Sequence, residues 1–454
     1  MWIHFISIGG SVMHQLAIAL KNKGYKITGS DDEIFEPAAG NLKKAGLFPE
    51  KMGWHIENID GSIDSVILGM HAKQDNPELK KAVESGLTIY SFPEYIYKES
   101  IDKKRVAIGG SHGKTTTTAM IMHVLKNAGR DFDYLVGAKL DGFDQSVKVT
   151  DAPVIILEAD EYPASATERR PKFHFLFPHI AVITGIAWDH INIFPTFENY
   201  QEQFSIFINK IEKGGHLIFN ETDPVLVALI KDTKRADLTY FPYHLPEHTI
   251  ENGITNVSIG NQKTLLSIFG NHNLLNLEAA HIVCGLLDID DVTFAKSIAD
   301  FSGASKRLEL IASDGNTNVY RDFAHAPSKV TASINAVKEQ FPQRRLTAVL
   351  ELHTFSSLSA HFLDQYNGAL EKADEAIVFF SRHALELKRL KLLDSKEIKD
   401  GFQKQGLLVI SDRETLETEL KNKNTKDANF LFMSSGNYDG MNILQTLNLS
   451  SNNI

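Results

Sequence analysis

Short apolar runs alternate with amphipathic stretches along most of the chain. Near the start, "IHFISIGG" is an apolar run ending in glycines, and "MHQLAIALKNKG" carries apolar residues at helical spacing and closes on Gly24. "YKITGSDD" then returns to a strand with acids at its end. "SVILGM" and "LTIYSF" repeat the strand pattern, so the first hundred residues predict a Rossmann-like unit. The polar stretch "KESIDKKR" separates it from a new strand, "VAIGG", after which strand and helix alternate through "APVIILEADE", "IAVITGIAWDH" and "GGHLIFN". From Gly303 a third series begins, with strands "TNVYRDF", "RLTAVLEL", "EAIVFF", "GLLVIS" and "NFLFMSSG" separated by helical stretches such as "SKVTASINAVKEQF". The expected fold is α/β, in three tandem domains. Residues 1–102 form a Rossmann-like domain, 103–302 a central P-loop-type domain with a parallel sheet, and 303–454 a second Rossmann-like domain.

Composition narrows the function. A chain of 454 residues exceeds a single core, and domains of about 150 residues predict roughly three. The formal net charge of -10 argues against nucleic-acid or membrane binding through bulk charge, so anionic ligands must be held by local loops. The single cysteine, Cys284, lies in the apolar run "AAHIVCGLLDI" and reads as a buried structural thiol in a reducing compartment. No run reaches the roughly 18 apolar residues of a membrane span, and "MWIHFISIGG" lacks the charged opening of a signal peptide. A cytoplasmic protein, monomeric or a weak homodimer, is expected.

The stretch "GGSHGKTTTTAM", Gly109 to Met120, carries the most specific chemistry. An ordinary P-loop places a glycine five positions before Gly113-Lys114, where this chain has Ile108. The setting is nevertheless that of a phosphate loop: an apolar strand, then Gly110-Ser111-His112-Gly113, then Lys114-Thr115-Thr116 opening a helix of small residues. Backbone N–H groups at such a helix start point at phosphate. Lys114 would neutralise the β- and γ-phosphates of ATP, and the Thr115 hydroxyl would bind Mg2+. A metal there needs further hard ligands, and "VIILEADEY" ends a strand with Glu158, Asp160 and Glu161, while "AVITGIAWDH" ends another with Asp189 and His190.

"GSHGKTTTT" resembles the ATP loop "G-[ST]-x-G-K-T" of the Mur ligase family, and the likeness extends over almost the whole chain. By that resemblance Glu158 and His190 match metal-site residues beside Thr115. "ISIGGSVM" resembles the family's "G-I-G-G-x-G-M", with Ser7 and Val12 in place of two glycines and Gly9 and Gly10 retained, which with Ser11 at the variable position implies a loop near a UDP-sugar. Asp31, at the next strand end, would ordinarily face a ribose hydroxyl. "GMHAKQDNPEL" resembles a second signature and implies that His71, Asp75 and Asn76 lie near the nucleotide. "FGNHNLLN" resembles "G-x-H-N-x-x-N", whose adenine-reading asparagine maps to Asn273; a helix cap by Asn271 or Asn273 is the plainer reading. "FSGASKRLELI" maps a phosphate-binding arginine to Arg307, and "YRDFAHAP" maps an acid near the ATP ribose to Asp322 and an active-site histidine to His325.

The resemblance implies an ATP-dependent ligase that uses Mg2+ to join the lactyl carboxylate of UDP-N-acetylmuramate to an amine through an acyl phosphate, with Lys114, His190, Arg307 and His325 as its catalytic groups. One branch of the family adds L-alanine in cell-wall synthesis, and another adds the recycled tripeptide L-alanyl-γ-D-glutamyl-meso-diaminopimelate. "EADEYPASATERRPKF" and "FMSSGNYDGM" resemble the peptide branch, and "ELHTFSSLS" lacks the arginines of the alanine branch's "P-H-R-[FY]-[ST]-R". His353, Thr354, Ser356 and Ser357, and the cluster Arg169, Arg170 and Lys172, are therefore candidates for holding a short cell-wall peptide. A solvated turn is the plainer reading of each. A nucleotide-binding regulatory protein would not need the distributed Glu158, His190 and Arg307.

Overall fold

The computed structural model describes residues 1–188, 193–387 and 393–449. Its first sheet is built from β1 (Trp2–Ile6), β2 (Lys26–Ser30), β3 (Ser65–Leu68) and β4 (Ile89–Ser91), all parallel in the order β2-β1-β3-β4. The connecting helices are α1 (Met13–Asn22), α2 (Ala38–Ala45) and α3 (Pro77–Glu84), and α4 (Phe92–Glu99) follows β4. Parallel pairing gathers the loops after β1, β2 and β3 at one edge of the sheet, where open α/β folds bind ligands.

The second sheet contains β5 (Lys104–Gly109), β6 (Asp133–Leu135), β7 (Val147–Lys148), β8 (Val154–Glu158), β9 (Ile180–Ile183), β10 (His216–Asn220) and β11 (Thr239–Tyr243). Its order is β11-β10-β9-β5-β8-β6-β7, parallel except for the β6/β7 pair. Helix α5 (Lys114–Asn127) follows β5, α6 (Phe197–Asn209) precedes β10 and α7 (Pro224–Thr233) precedes β11. Val106, Ala107 and Ile108 are wholly buried, the continuous apolar run that a strand covered on both faces requires. Because β5 lies between β8 and β9, the loop after β5 is flanked by Glu158 at the end of β8 and Thr184 just past β9.

One strand is shorter than its sequence implies. β9 stops at Ile183, because Thr184, Gly185 and Ala187 turn to hydrogen-bond the loop after β5. Asp189 and His190, which the sequence reading places at the end of that strand, lie outside the described residues.

The chain from Leu245 to Glu278 and from Asp291 onward forms a second compact unit, and the two sheets above belong to the first. It holds an antiparallel sheet of β12 (His248–Glu251), β13 (Ile254–Ile259) and β14 (Gln262–Leu266) that the strand–helix alternation did not reveal. Its local signals are the two-residue turns Asn252-Gly253, both with positive φ (54° and 76°), and Gly260-Asn261. Helices α8 (Asn271–Leu286) and α9 (Asp291–Ile298) follow. The last sheet runs β15-β16-β20-β17-β18-β19, from β15 (Glu309–Ser313), β16 (Thr317–Asp322), β17 (Arg345–Leu352), β18 (Glu375–Phe380), β19 (Leu408–Ile410) and β20 (Ala428–Met433), with α10 (Pro327–Gln340) after β16. It is parallel except for the edge strand β15. Strand β20 serves both faces: Phe430 and Phe432 enter one apolar cluster, Leu431 and Met433 the other.

Candidate active site

The loop after β5 is held in shape by its own backbone and by the chain leaving β9. Gly110 has φ +125°, and a Cβ there would lie 2.1 Å from Thr184 Oγ1 and 2.8 Å from Thr184 N, so only glycine fits. Gly113, at φ +80°, begins α5 in the left-handed region, with no side-chain cap and no acidic residue in the first turn. Ser111 N donates to Gly185 O (2.9 Å), Ala187 N donates to Ser111 Oγ (2.8 Å), and Ser111 Oγ meets the buried Tyr200 hydroxyl at 2.9 Å. Thr184 Oγ1 reaches the carbonyls of Gly109 and His112. The Ser111 hydroxyl is thus spent on positioning, and the helix start remains open to an anion.

Lys114 Nζ lies 2.6 Å from Gly110 O and 2.8 Å from Glu161 Oε2. Burial works against its charge, but the Glu161 carboxylate, backed by Asp160 and Glu158, outweighs it and holds the ammonium above its usual value. Thr115 Oγ1 donates to Glu158 Oε1 at 2.9 Å, and Glu158 Oε2 accepts from Gly137 N at 3.0 Å. A hydroxyl and a carboxylate side by side are the hard oxygen donors that Mg2+ takes. The third expected ligand, His190, lies outside the described residues, and among those described no cluster of three His, Cys, Asp or Glu side chains could hold a metal by itself. Asp160 is not available to such a set, because Lys172 Nζ binds it at 2.6 Å. Arg170 is likewise paired with Glu168 at 2.7 Å, and Arg169 is exposed, so two of the three cations of the basic cluster are already held by carboxylates of their own segment.

The first sheet's loops enclose a cavity of about 890 Å³. Gly9, Ser11, His71 and Lys73 line it, and Gly137 and Lys139 close it from the second sheet's side. Gly9 cannot carry a side chain, since a Cβ would meet Ile34 at 2.8 Å and Asp31 at 2.9 Å. Asp31 is a support for this loop: its Oδ2 accepts Gly9 N at 2.7 Å, it is 1% exposed, and the neighbouring Asp32 lines the cavity in its place. Burial raises the Asp31 pKa to about 6. Gly10 contributes its carbonyl to His14. Asn76 caps α3, its Oδ1 accepting Leu79 N at 3.0 Å, and is not among the residues lining the cavity. Gly137 lines the cavity while donating to Glu158, so one residue joins this cavity to the Thr115–Glu158 pair.

In the second unit, Asn273 and Arg307 line one cavity of about 210 Å³ with Phe269, Tyr320 and Phe341. Asn273 Nδ2 donates to Phe269 O at 2.9 Å, a bond to a preceding carbonyl and not the acceptor role of a helix cap. The Arg307 guanidinium lies 4.6 Å over the Phe323 ring. Asp322, buried at the end of β16, accepts from Ser333 Oγ and Ala324 N. His325 Nδ1 lies 2.8 Å from Phe323 O, so Nδ1 carries a proton there. Beyond β17, Thr354 Oγ1 donates to Ser357 Oγ at 2.9 Å and accepts Ser357 N at 3.1 Å, a turn whose hydroxyls satisfy one another. His353 lies 3.7 Å from Glu351, a wholly buried carboxylate that accepts Tyr438 N at 2.9 Å, and Ser356 O accepts Ser359 N at 3.0 Å. Thr184 and Tyr200, which brace the loop after β5, and Glu351, beside His353, are neighbours of candidate residues that the sequence reading missed; an acid inside the apolar "TAVLELH" was the only local signal for the last.

Comparison with known proteins agrees with this arrangement. Residues 2–99 match the model "Mur ligase family, catalytic domain", 108–284 the "Mur ligase middle domain", and 306–436 the "Mur ligase, glutamate ligase domain". The UDP-N-acetylmuramate–L-alanine ligase of Clostridium botulinum (strain Hall) is 31% identical over 94% of this chain and 93% of its own length. That of Aquifex aeolicus is 29% identical over 95% and 94%. Among solved structures, the UDP-N-acetylmuramate–alanine ligase of Thermotoga maritima superposes with a TM-score of 0.68 at 21% identity, covering 97% of each chain. The murein peptide ligase of Psychrobacter arcticus gives 0.62 at 22% identity, covering 100% of this chain and 99% of that one. A lysine-bearing helix start beside a threonine–glutamate pair, in a chain that matches these domains almost end to end, identifies it as a member of the Mur ligase family, ATP-dependent ligases that form carbon–nitrogen bonds.

Proposed function

We propose that the chain joins the lactyl carboxylate of UDP-N-acetylmuramate to the amine of L-alanyl-γ-D-glutamyl-meso-diaminopimelate at the expense of ATP, in peptidoglycan recycling. The observation that carries the ligase reading is Gly137, which lines the large N-terminal cavity and donates to Glu158 beside the Lys114 loop. A nucleotide sugar in that cavity would bring its carboxylate toward the γ-phosphate. In the reaction, a carboxylate oxygen attacks the γ-phosphorus and ADP leaves, giving an acyl phosphate. The amine nitrogen then attacks the acyl carbon, loses a proton, and phosphate departs. Lys114 offsets charge on the transferring phosphoryl group, and the N–H groups that open α5 orient its oxygens. Thr115 and Glu158, with His190, would hold Mg2+, which supplies neutralisation of the phosphate oxygens when bound. Arg307, Asn273 and Asp322 are assigned to the nucleotide and His325 to the reacting centre on the family pattern.

The turn after β17 bears on the choice of amine. Thr354 and Ser357 satisfy each other there, and the turn carries the arginines of neither branch, so the tripeptide reading rests on "EADEYPASATERRPKF" and "FMSSGNYDGM", which resemble the peptide branch. His353 and Ser356 remain its candidate contacts. L-Alanine is the second reading, favoured by the curated relatives, which are named as L-alanine ligases. Phosphate release with ATP and UDP-N-acetylmuramate, measured over a panel of amines, separates the two: the tripeptide is expected to give the fastest turnover. Equal or faster turnover with free L-alanine would replace this assignment with the second.

A further inference from the structure

The wall of the N-terminal cavity carries a chain of hydrogen bonds that fixes the direction of one amide. His14, Gln15 and Asn41 all line the cavity, the first two from the start of α1 and the third from α2. His14 Nδ1 lies 2.9 Å from the carbonyl oxygen of Gly10. A carbonyl can only accept, so Nδ1 carries the proton and Nε2 presents a bare lone pair. The ring is 4% exposed, and that burial keeps its proton affinity below the ordinary histidine value despite the Gly10 bond, so it is neutral at physiological pH. The atom of Gln15 that meets this Nε2 at 2.9 Å must therefore be its nitrogen, and Asn41 turns its nitrogen to the same acceptor at 3.3 Å. Gln15 Oε1 is left as an acceptor that cannot rotate into a donor without placing two lone pairs against each other. It is shielded from solvent and has no hydrogen-bond partner among the described residues.

We infer that Gln15 is a specificity-determining residue that accepts a hydrogen bond from a neutral N–H or O–H group on the nucleoside part of the nucleotide sugar, with His14 as its positioning residue. This rests on the reading that the cavity holds a UDP-sugar. An anionic oxygen is disfavoured at Oε1, because two acceptors repel, while the cavity as a whole carries both signs, Lys73 and Lys139 beside Asp32, Glu33 and Glu36. A UDP nucleoside offers two sources, the imide N–H of uracil and the ribose hydroxyls.

Calorimetric titration of the full chain with UDP-N-acetylmuramate, UDP, 3-methyl-UDP and 2′-deoxy-UDP tests the inference. The wild type should bind one of the two analogues at least tenfold more weakly than UDP, and which one identifies the donor. In Gln15→Met, which keeps the bulk and removes the acceptor, UDP should weaken by the same factor and the penalty for that analogue should vanish. Gln15→Ala provides the same comparison if the methionine variant fails to fold, as judged by thermal melting. His14→Phe should narrow the discrimination, since the amide is then free to flip. A wild type that binds UDP-N-acetylmuramate but treats both analogues like UDP, or a Gln15 variant that keeps the full penalty, overturns the inference alone. A wild type that binds neither UDP nor the UDP-sugar overturns the functional reading with it.

Discussion

Ser7 occupies a left-handed backbone conformation, φ 69°, immediately after β1, where its N–H and that of Ile8 both donate to Ser30 O. The two bonds fix the turn, so the residue cannot relax toward an ordinary conformation without losing them. For a side chain bearing Cβ this geometry costs about 1–2 kcal/mol. The Ser7 hydroxyl is also buried with no hydrogen-bond partner among the described residues, a further cost of about 1–3 kcal/mol. Glycine removes both, against the greater freedom it gives the unfolded chain, about 0.5–1 kcal/mol. Ser7→Gly should therefore stabilise the N-terminal sheet by about 1–4 kcal/mol. Because a chain of this size need not unfold in one step, the gain should be read as slowed hydrogen exchange over the β1 and β2 peptides, together with a higher urea midpoint at unchanged slope. Affinity for UDP-N-acetylmuramate should be unchanged or tighter, since the loop carrying Gly9 is held by the same bonds. Faster exchange in these peptides, or a lower midpoint, would refute the assignment of strain to this residue.

The other expectations concern charge. Lys114→Ala should lower phosphate release at least about 100-fold while leaving UDP-sugar binding by calorimetry nearly intact, because the loop and the cavity use different side chains. Asp31 has its pKa raised by burial from 3.8 to about 6, so its ionised form is disfavoured in the folded state: the stability it contributes is complete below pH 4 and is lost as pH rises through about 6. Asp31→Asn keeps an acceptor for Gly9 N and should flatten the stability profile of the N-terminal unit across that window, by about 3 kcal/mol for a shift of this size; an unchanged profile would show that Asp31 does not titrate there. Glu161→Gln removes the foremost group holding the Lys114 charge, so burial should pull that ammonium down. An alkaline limb should then appear in the pH profile of turnover below the usual lysine value of about 10.4, and its absence would mean that Asp160 and Glu158 suffice.

What the sequence revealed and what it hid divide along contact range. Lys114, Thr115 and Glu158 were legible because each stands at a fixed offset from the end of an apolar strand, and parallel pairing brings strand ends together. The three mainly parallel sheets were legible for the same reason, through alternation of period. Asp31 and Asn76 were read toward a ligand, yet one braces Gly9 and the other caps α3. An acid at a strand end and an asparagine before a proline carry the same local pattern whether they face a substrate or a backbone N–H. Thr184 and Tyr200 escaped notice because their contacts with the loop span 75 and 89 residues and leave no periodic trace. The β12–β14 hairpins announce themselves in turn residues and not in apolar runs, since much of their surface is exposed.

The short phosphate loop has a structural reason. In this chain Ile108, where an ordinary P-loop would open with glycine, is an interior sheet residue paired with Glu158 on one side and Val182 on the other, and Gly109 still pairs with Ile183. The strand runs further before the turn begins, so fewer residues remain to wrap a phosphate. A loop that short would have few bonds of its own to fix it, and here the shape is imposed from outside by Thr184, Gly185 and Ala187. That clamp explains why Gly110 tolerates no Cβ and why Ser111 turns its hydroxyl away from the helix start. It also places Lys114 against Glu161 and the Gly110 carbonyl before any nucleotide arrives. Phosphate must then exchange with a carboxylate already bonded to the lysine, so the loop gives up some affinity for free phosphate in return for a geometry set in advance. In a protein whose net charge is -10, such exchange keeps an anion site electrostatically satisfied without recourse to a broad basic surface.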